Sequence, residues 1–148
     1  MAITFNDKLI YAYTIRHYVS DGGAMVLRSY GYSAADLFDD GDVAGAFLTF
    51  SAPRGDSSKF NGISFDISTA LVADSISIAW EYCRRGSDAY SETWHALSNV
   101  VDGTNGFTQS GEITWDVPED WENYLRVQGN GDWYRWVVRA RIDSVTNM

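Results

Sequence analysis

Four segments of the chain alternate apolar and polar residues with a period of two: "ISFDI" (63–67), "SISIAWEYC" (75–83), "EITWDV" (112–117) and "RWVVRARID" (135–143). Successive side chains of a strand point to opposite faces, so each segment reads as a half-buried β-strand. The inward rows are Ile63, Phe65 and Ile67; Ile76, Ile78, Trp80 and Tyr82; Ile113, Trp115 and Val117; and Trp136, Val138, Ala140 and Ile142. Ser64 and Asp66, Glu112, Thr114 and Asp116, and Arg135, Val137, Arg139 and Arg141 fall on the outer rows. Gly, Asn, Asp and Ser bound these runs, as turn residues do. "TWHAL" (93–97) reads as a further short strand. The expected fold is all-β: an antiparallel β-sandwich of jelly-roll type, whose core mixes Ile and Val with Trp, as two facing sheets require.

The first fifty residues are less regular. "IYAYTIRHYV" and "GAFLTFSA" read as strands. "SAADLFDDGD" reads as a short helix with Ser33 as N-cap and Gly41 past its end. Residues 45–148 are assigned to the β-sandwich domain. Residues 1–44 are either an N-terminal arm or its first strands, and the sequence leaves both open. The length of 148 residues suits one domain.

Between Asp102 and Trp121 the chain reads "DGTNGFTQSGEITWDVPEDW". Asp102-Gly103 and Asn105-Gly106 are turn signals, because Gly accepts positive φ and Asx side chains bond their own backbone. Pro118 ends the strand and opens a tight corner. Trp115 is expected in the core, and Trp121 as a lid folded back over one open end. A stacking platform for a sugar or base would instead draw on Trp121, Trp133, Tyr90 and Tyr124.

Charge narrows the partners. There are 20 Asp and Glu against 11 Lys and Arg, a net charge of −9. Binding a phosphate backbone or an anionic membrane needs Lys and Arg, so neither nucleic acid nor membrane is expected as partner. Cys83 is the one cysteine, which excludes an intrachain disulfide. No secretory signal and no long apolar run is present, so synthesis in a cytoplasm is expected.

The sequence points to no catalytic, metal or cofactor site. His17 and His95 have no nucleophile elbow to serve. Glu112 and Asp116 share the outer face of one strand about 13 Å apart, too far for an acid–base pair. "DDGD" (39–42) and "DGTN" (102–105) supply oxygen ligands but lack the calcium-loop spacing, and turn chemistry explains both. Arg-Gly-Asp at 54–56 reads as a strand-connecting loop. Arg135, Arg139 and Arg141 line one face of the last strand, and Arg84 and Arg85 end another. They either pair across strands with Glu81, Glu112 or Asp116, or face an acidic neighbour in an assembly.

Several successive pieces occur in a recurrent order. They are a Trp-Glu-Tyr strand (Trp80–Tyr82), a Trp-x-x-Leu strand (Trp94, Leu97), an Asp-x-Thr turn (Asp102, Thr104) and a Phe-Thr-x-Ser-Gly strand start (Phe107 to Gly111). A Pro-x-Asp-Trp corner (Pro118, Asp120, Trp121) and a final Trp-Val-x-Arg-x-Arg strand (Trp136 to Arg141) follow. From about Phe60 to Ile142 the chain resembles a β-sandwich domain of tailed-bacteriophage virion proteins, found in head-decoration, tail and baseplate components. The stretch "CRRGSDAYSE" (83–92) departs from that pattern by a longer, charged loop.

The resemblance implies a non-enzymatic virion structural protein. A capsid decoration (cement) protein is the first expectation, as a homo-oligomer bound to the major capsid protein or other virion subunits. A tail or baseplate component and a carbohydrate-binding β-sandwich module are the alternatives. The interface candidates are Arg84, Arg85, Tyr90, Trp121, Tyr124, Trp133, Arg135, Arg139 and Arg141. The expected core is Phe65, Ile76, Ile78, Trp80, Ile113, Trp115, Trp136 and Val138.

Overall fold

In a computed structural model, the period-two segments meet in two antiparallel sheets that share one aromatic core. The structure describes residues 3–5, 8–11, 14–21, 24–31, 44–51, 59–67, 69–86, 92–128 and 131–147; side chains are described for 44–50, 59–67, 69–86, 92–123 and 136–147. Every regular element among the described residues is a β-strand. They are β1 (Ile3–Phe5), β2 (Lys8–Tyr11), β3 (Thr14–Asp21), β4 (Ala24–Gly31), β5 (Phe47–Ser51), β6 (Gly62–Phe65) and β7 (Ser75–Arg85). β8 (Glu92–Ala96), β9 (Val101–Asp102), β10 (Gly111–Thr114), β11 (Tyr124–Gln128), β12 (Gly131–Arg135) and β13 (Val137–Thr146) follow.

One sheet has the order β2-β1-β6-β10-β9 and the other β4-β3-β5-β13-β7-β8; β11 and β12 form a separate two-stranded ribbon. The last long strand is therefore central: β13 pairs with β5 on one side and β7 on the other. Strands from residues 1–44 join both sheets, β1 beside β6 and β3 beside β5. The expected helix at 33–41 lies outside the described residues.

Register explains the core. Val138 stands opposite Phe50 and Tyr82, and Ala140 opposite Leu48 and Trp80. Ala140 is fully buried, and its small side chain leaves room for the Trp80 indole beside it. From the other sheet, Ile63, Phe65 and Ile113 enter the same cluster. Phe65 meets Phe50 edge-on at 5.7 Å, and Trp80 lies 6.3 Å from Trp115 in a stacked arrangement. Burying each large apolar side chain contributes about 1.5–3 kcal/mol, so this cluster dominates the stability of the fold.

The core departs from the sequence expectation in three places. Regular pairing of β10 ends at Thr114, so Trp115 and Val117 lie beyond the strand. The Trp115 amide bonds to the Asn61 carbonyl and the Asp116 amide to the Ser98 carbonyl. Trp115 is buried, but Val117 is 42% exposed where period two puts it inward, because the alternation stops with the ladder. Val137, expected on the outer row, is fully buried with Cys83 and against Trp94 on the opposite face of the sheet. Periodicity tells which residues share a face but not whether the second face is covered. Ile76, Ile78 and Trp136 are half-buried at the core margin.

Candidate functional site

The corner after Pro118 does not present Trp121 to solvent. Trp121 is 2% exposed, with its ring against Phe60 at 5.1 Å, Trp136 at 5.7 Å and Tyr82 at 6.4 Å. It closes one end of the core, as the lid expected from the sequence does, and is corrected as an interface or sugar-stacking candidate. The reason is local. Pro118 turns the chain, the Trp121 amide donates to the Pro118 carbonyl at 3.3 Å, and the indole swings under the end of β7. Lys59 holds the turn from below, donating to the Pro118 and Glu119 carbonyls at 3.0 Å each. Its ammonium also sits 5.1 Å from the centre of the Trp136 ring.

The polar residues of the corner engage the end of β7. Tyr82 donates its hydroxyl to Asp120 Oδ1 at 2.8 Å, and Arg84 Nη1 reaches Asp120 Oδ2 at 3.0 Å. The Arg85 amide donates to Glu122 Oε2 at 3.0 Å. Its guanidinium donates to the Asn123 carbonyl at 2.7 Å and to Asn123 Oδ1 at 2.8 Å. The Tyr82 hydrogen bond, helped by the neighbouring Arg84 charge, holds the Asp120 carboxyl below its usual range. Burial and the same hydrogen bond push the Tyr82 phenol up. Arg84 and Arg85 are thus brought together at one end of the fold. Their partners Glu122 and Asn123 were missed by the sequence reading, which looked for cross-strand partners and not for a corner folding over a strand end.

A second cluster lies on the other face of the six-stranded sheet. Arg139 stands opposite Glu81 in register, and both Arg139 Nε and Arg141 Nε bond to Glu81 Oε2. Arg141 also pairs with Asp143 Oδ1 at 3.1 Å. The Glu81 hydrogen bond raises the Arg141 pKa further. The Arg139 guanidinium lies over Trp94 at 4.4 Å and Phe47 at 5.1 Å, so its flat faces are in aromatic contact while its edge binds the carboxylate. These two arginines do not join Arg84 and Arg85.

The remaining candidates divide simply. The ladder sets Tyr124 opposite Arg135 and Arg126 opposite Trp133 in the β11–β12 ribbon, and their side chains lie outside the described residues. Tyr90 lies outside them entirely, as do "DDGD" and the Arg-Gly-Asp tripeptide. Glu112 accepts from Ser64 Oγ at 3.1 Å and Asp116 from Asn99 Nδ2, so these two carboxylates serve separate contacts. His95 lies 3.1 Å from Thr93 Oγ1 through Nε2, with its ring beside Tyr82. Among the described residues, no group of three or more His, Cys, Asp or Glu is placed to hold a metal ion, and no helix is long and apolar enough to cross a membrane.

The loop from β9 to β10 is built around one carboxylate. Asp102 Oδ1 accepts from the Thr104 amide at 2.7 Å and the Thr104 hydroxyl at 2.6 Å, and Oδ2 accepts from the Gly106 amide at 2.9 Å. Thr104 Oγ1 in turn accepts the Phe107 amide at 3.0 Å. Asn105, Gly106 and Phe107 all have positive φ, at 51°, 68° and 64°. Phe107 tolerates this because its buried ring packs on Phe65 at 5.2 Å and Trp80 at 6.1 Å. The loop closes tightly: a Cβ at Gly111 would lie 2.3 Å from the Gly103 carbonyl oxygen, so only glycine fits there.

No protein-family model matches the chain, and comparison with curated proteins and with solved structures returns no match either.

Proposed function

We propose that this chain is a non-catalytic virion structural protein of a tailed bacteriophage. In this reading its two sheets form a β-sandwich of jelly-roll type, and its role is capsid decoration: binding the head lattice as a homo-oligomer. One observation carries the reading. The residues that make up the virion-domain resemblance lie far apart in sequence but bear on one another in space. Glu81 of the Trp-Glu-Tyr strand holds Arg139 and Arg141 of the final strand. Tyr82 of the same strand holds Asp120 of the Pro-x-Asp-Trp corner. Phe107, which begins another of the pieces, packs on Trp80. These pieces form one packing unit in this fold, and that coherence supports the reading.

The charged and aromatic residues in that unit brace strand ends and sheet faces, as suits a protein that binds through a rigid surface. Many copies on a symmetric lattice then turn modest contacts into large stability. The experiment is to mix purified protein with undecorated heads and, separately, with tails, then sediment and image the complexes. Regular density on heads is expected. Binding to tails alone moves the protein to the tail or baseplate, and binding to neither overturns the virion reading.

A further inference from the structure

The β9–β10 loop places Asn105 directly before Gly106, with Asn105 exposed and Gly106 half-exposed. An Asn-Gly pair is chemically labile because no side chain shields the glycine amide. Its nitrogen loses its proton and attacks Asn105 Cγ; the N–Cγ bond forms, the Cγ–Nδ2 bond breaks and ammonia leaves. Water then opens the resulting succinimide at either carbonyl, leaving Asp or isoAsp at position 105. Either product adds a negative charge to an already acidic chain, and isoAsp also lengthens the backbone.

In this loop the attacking nitrogen is engaged. Gly106 N–H donates to Asp102 Oδ2 at 2.9 Å. The same carboxylate holds the Thr104 amide and hydroxyl, and Thr104 Oγ1 holds the amide of buried Phe107. Rotation of Gly106 N towards Cγ therefore breaks the Asp102 bond and strains a chain of contacts that ends in the core. On the other side, Asn105 Nδ2 donates to Thr108 Oγ1 at 3.2 Å, restraining the side-chain amide that must turn. The negative carboxylate also opposes formation of the amide anion beside it, as any like charge would.

We propose that Asn105–Gly106 is a latent deamidation site that the Asp102 carboxylate keeps unreactive by holding the Gly106 amide. The inference is independent of the virion reading, although a particle that must persist without repair gains from it.

The test is to incubate the full chain at mildly alkaline pH and measure deamidation and isoAsp at position 105 by peptide mapping and mass spectrometry. A synthetic peptide spanning 102–109 gives the unrestrained rate. Asp102→Ser keeps a turn-capping oxygen for Thr104 but is too short to reach Gly106, and circular dichroism checks that it folds. A lost hydrogen bond to a charged acceptor corresponds to a rate increase on the order of tenfold or more. The folded wild type is expected to lose its amide slowly, with Asp102→Ser moving towards the peptide rate. A wild type as fast as the peptide, or a folded Asp102→Ser as slow as the wild type, overturns the proposal.

Discussion

The Tyr82 hydroxyl donates to Asp120 Oδ1 across 2.8 Å, joining the end of a long strand to a corner nearly forty residues later. The bond sits between the buried Trp121 ring and the solvent-facing Arg84, so it ties the core to the charged rim.

This bond gives Tyr82→Phe a pH signature. Asp120 titrates below its unfolded value of 3.8, so its contribution is complete above that value and is lost as pH falls through the lower folded value. Tyr82 titrates above 10.0, so its donated hydrogen bond is complete below that value and is lost as pH rises through the higher folded value. Urea midpoints of wild type and Tyr82→Phe are expected to differ most at neutral pH and to converge at both extremes. A difference that is constant with pH would assign the effect to packing alone.

Trp121 fills the end of the core, so Trp121→Ala is expected to cost about 3–5 kcal/mol, the usual penalty for deleting a buried large aromatic. Trp121→Phe, which keeps part of the contact with Phe60 and Trp136, should cost markedly less. Equilibrium urea unfolding followed by circular dichroism measures both.

Glu81 serves two guanidinium groups at once. Glu81→Gln leaves Arg139 and Arg141 partly buried without their shared anion, at an expected cost of about 1–3 kcal/mol, less than for a fully buried pair because the groups keep some solvent. In a double-mutant cycle with Arg139→Gln, the double variant should lose less than the sum of the two single losses. Additive losses would show that Glu81 and Arg139 do not act as a pair.

Ala140 is small because Trp80 and Leu48 flank it in register. Ala140→Leu is expected to destabilise by about 1–3 kcal/mol through overpacking, although leucine is the more hydrophobic residue. The thermal midpoint should fall, and a rise would mean that the core has room at this position.

Period-two alternation depends on backbone geometry alone, so it was enough to identify strands around Ile63, Trp80, Ile113 and Val138 and to put Phe65, Trp80 and Ile113 on inward rows. Turn chemistry likewise marked Asp102-Gly103, Asn105-Gly106 and Pro118 as places where the chain reverses. Neither signal contains distance information. That Glu81 binds Arg139 and Arg141, that Arg84 and Arg85 engage the 118–123 corner, and that Val137 is covered on the second face all depend on which strands become neighbours. Tertiary packing settles these, because register across a sheet and the folding of a corner over a strand end arise from long-range contacts. Trp121 marks the boundary: the sequence reads it as a lid after a turn or as an exposed platform, and packing against Phe60, Tyr82 and Trp136 settles on the lid.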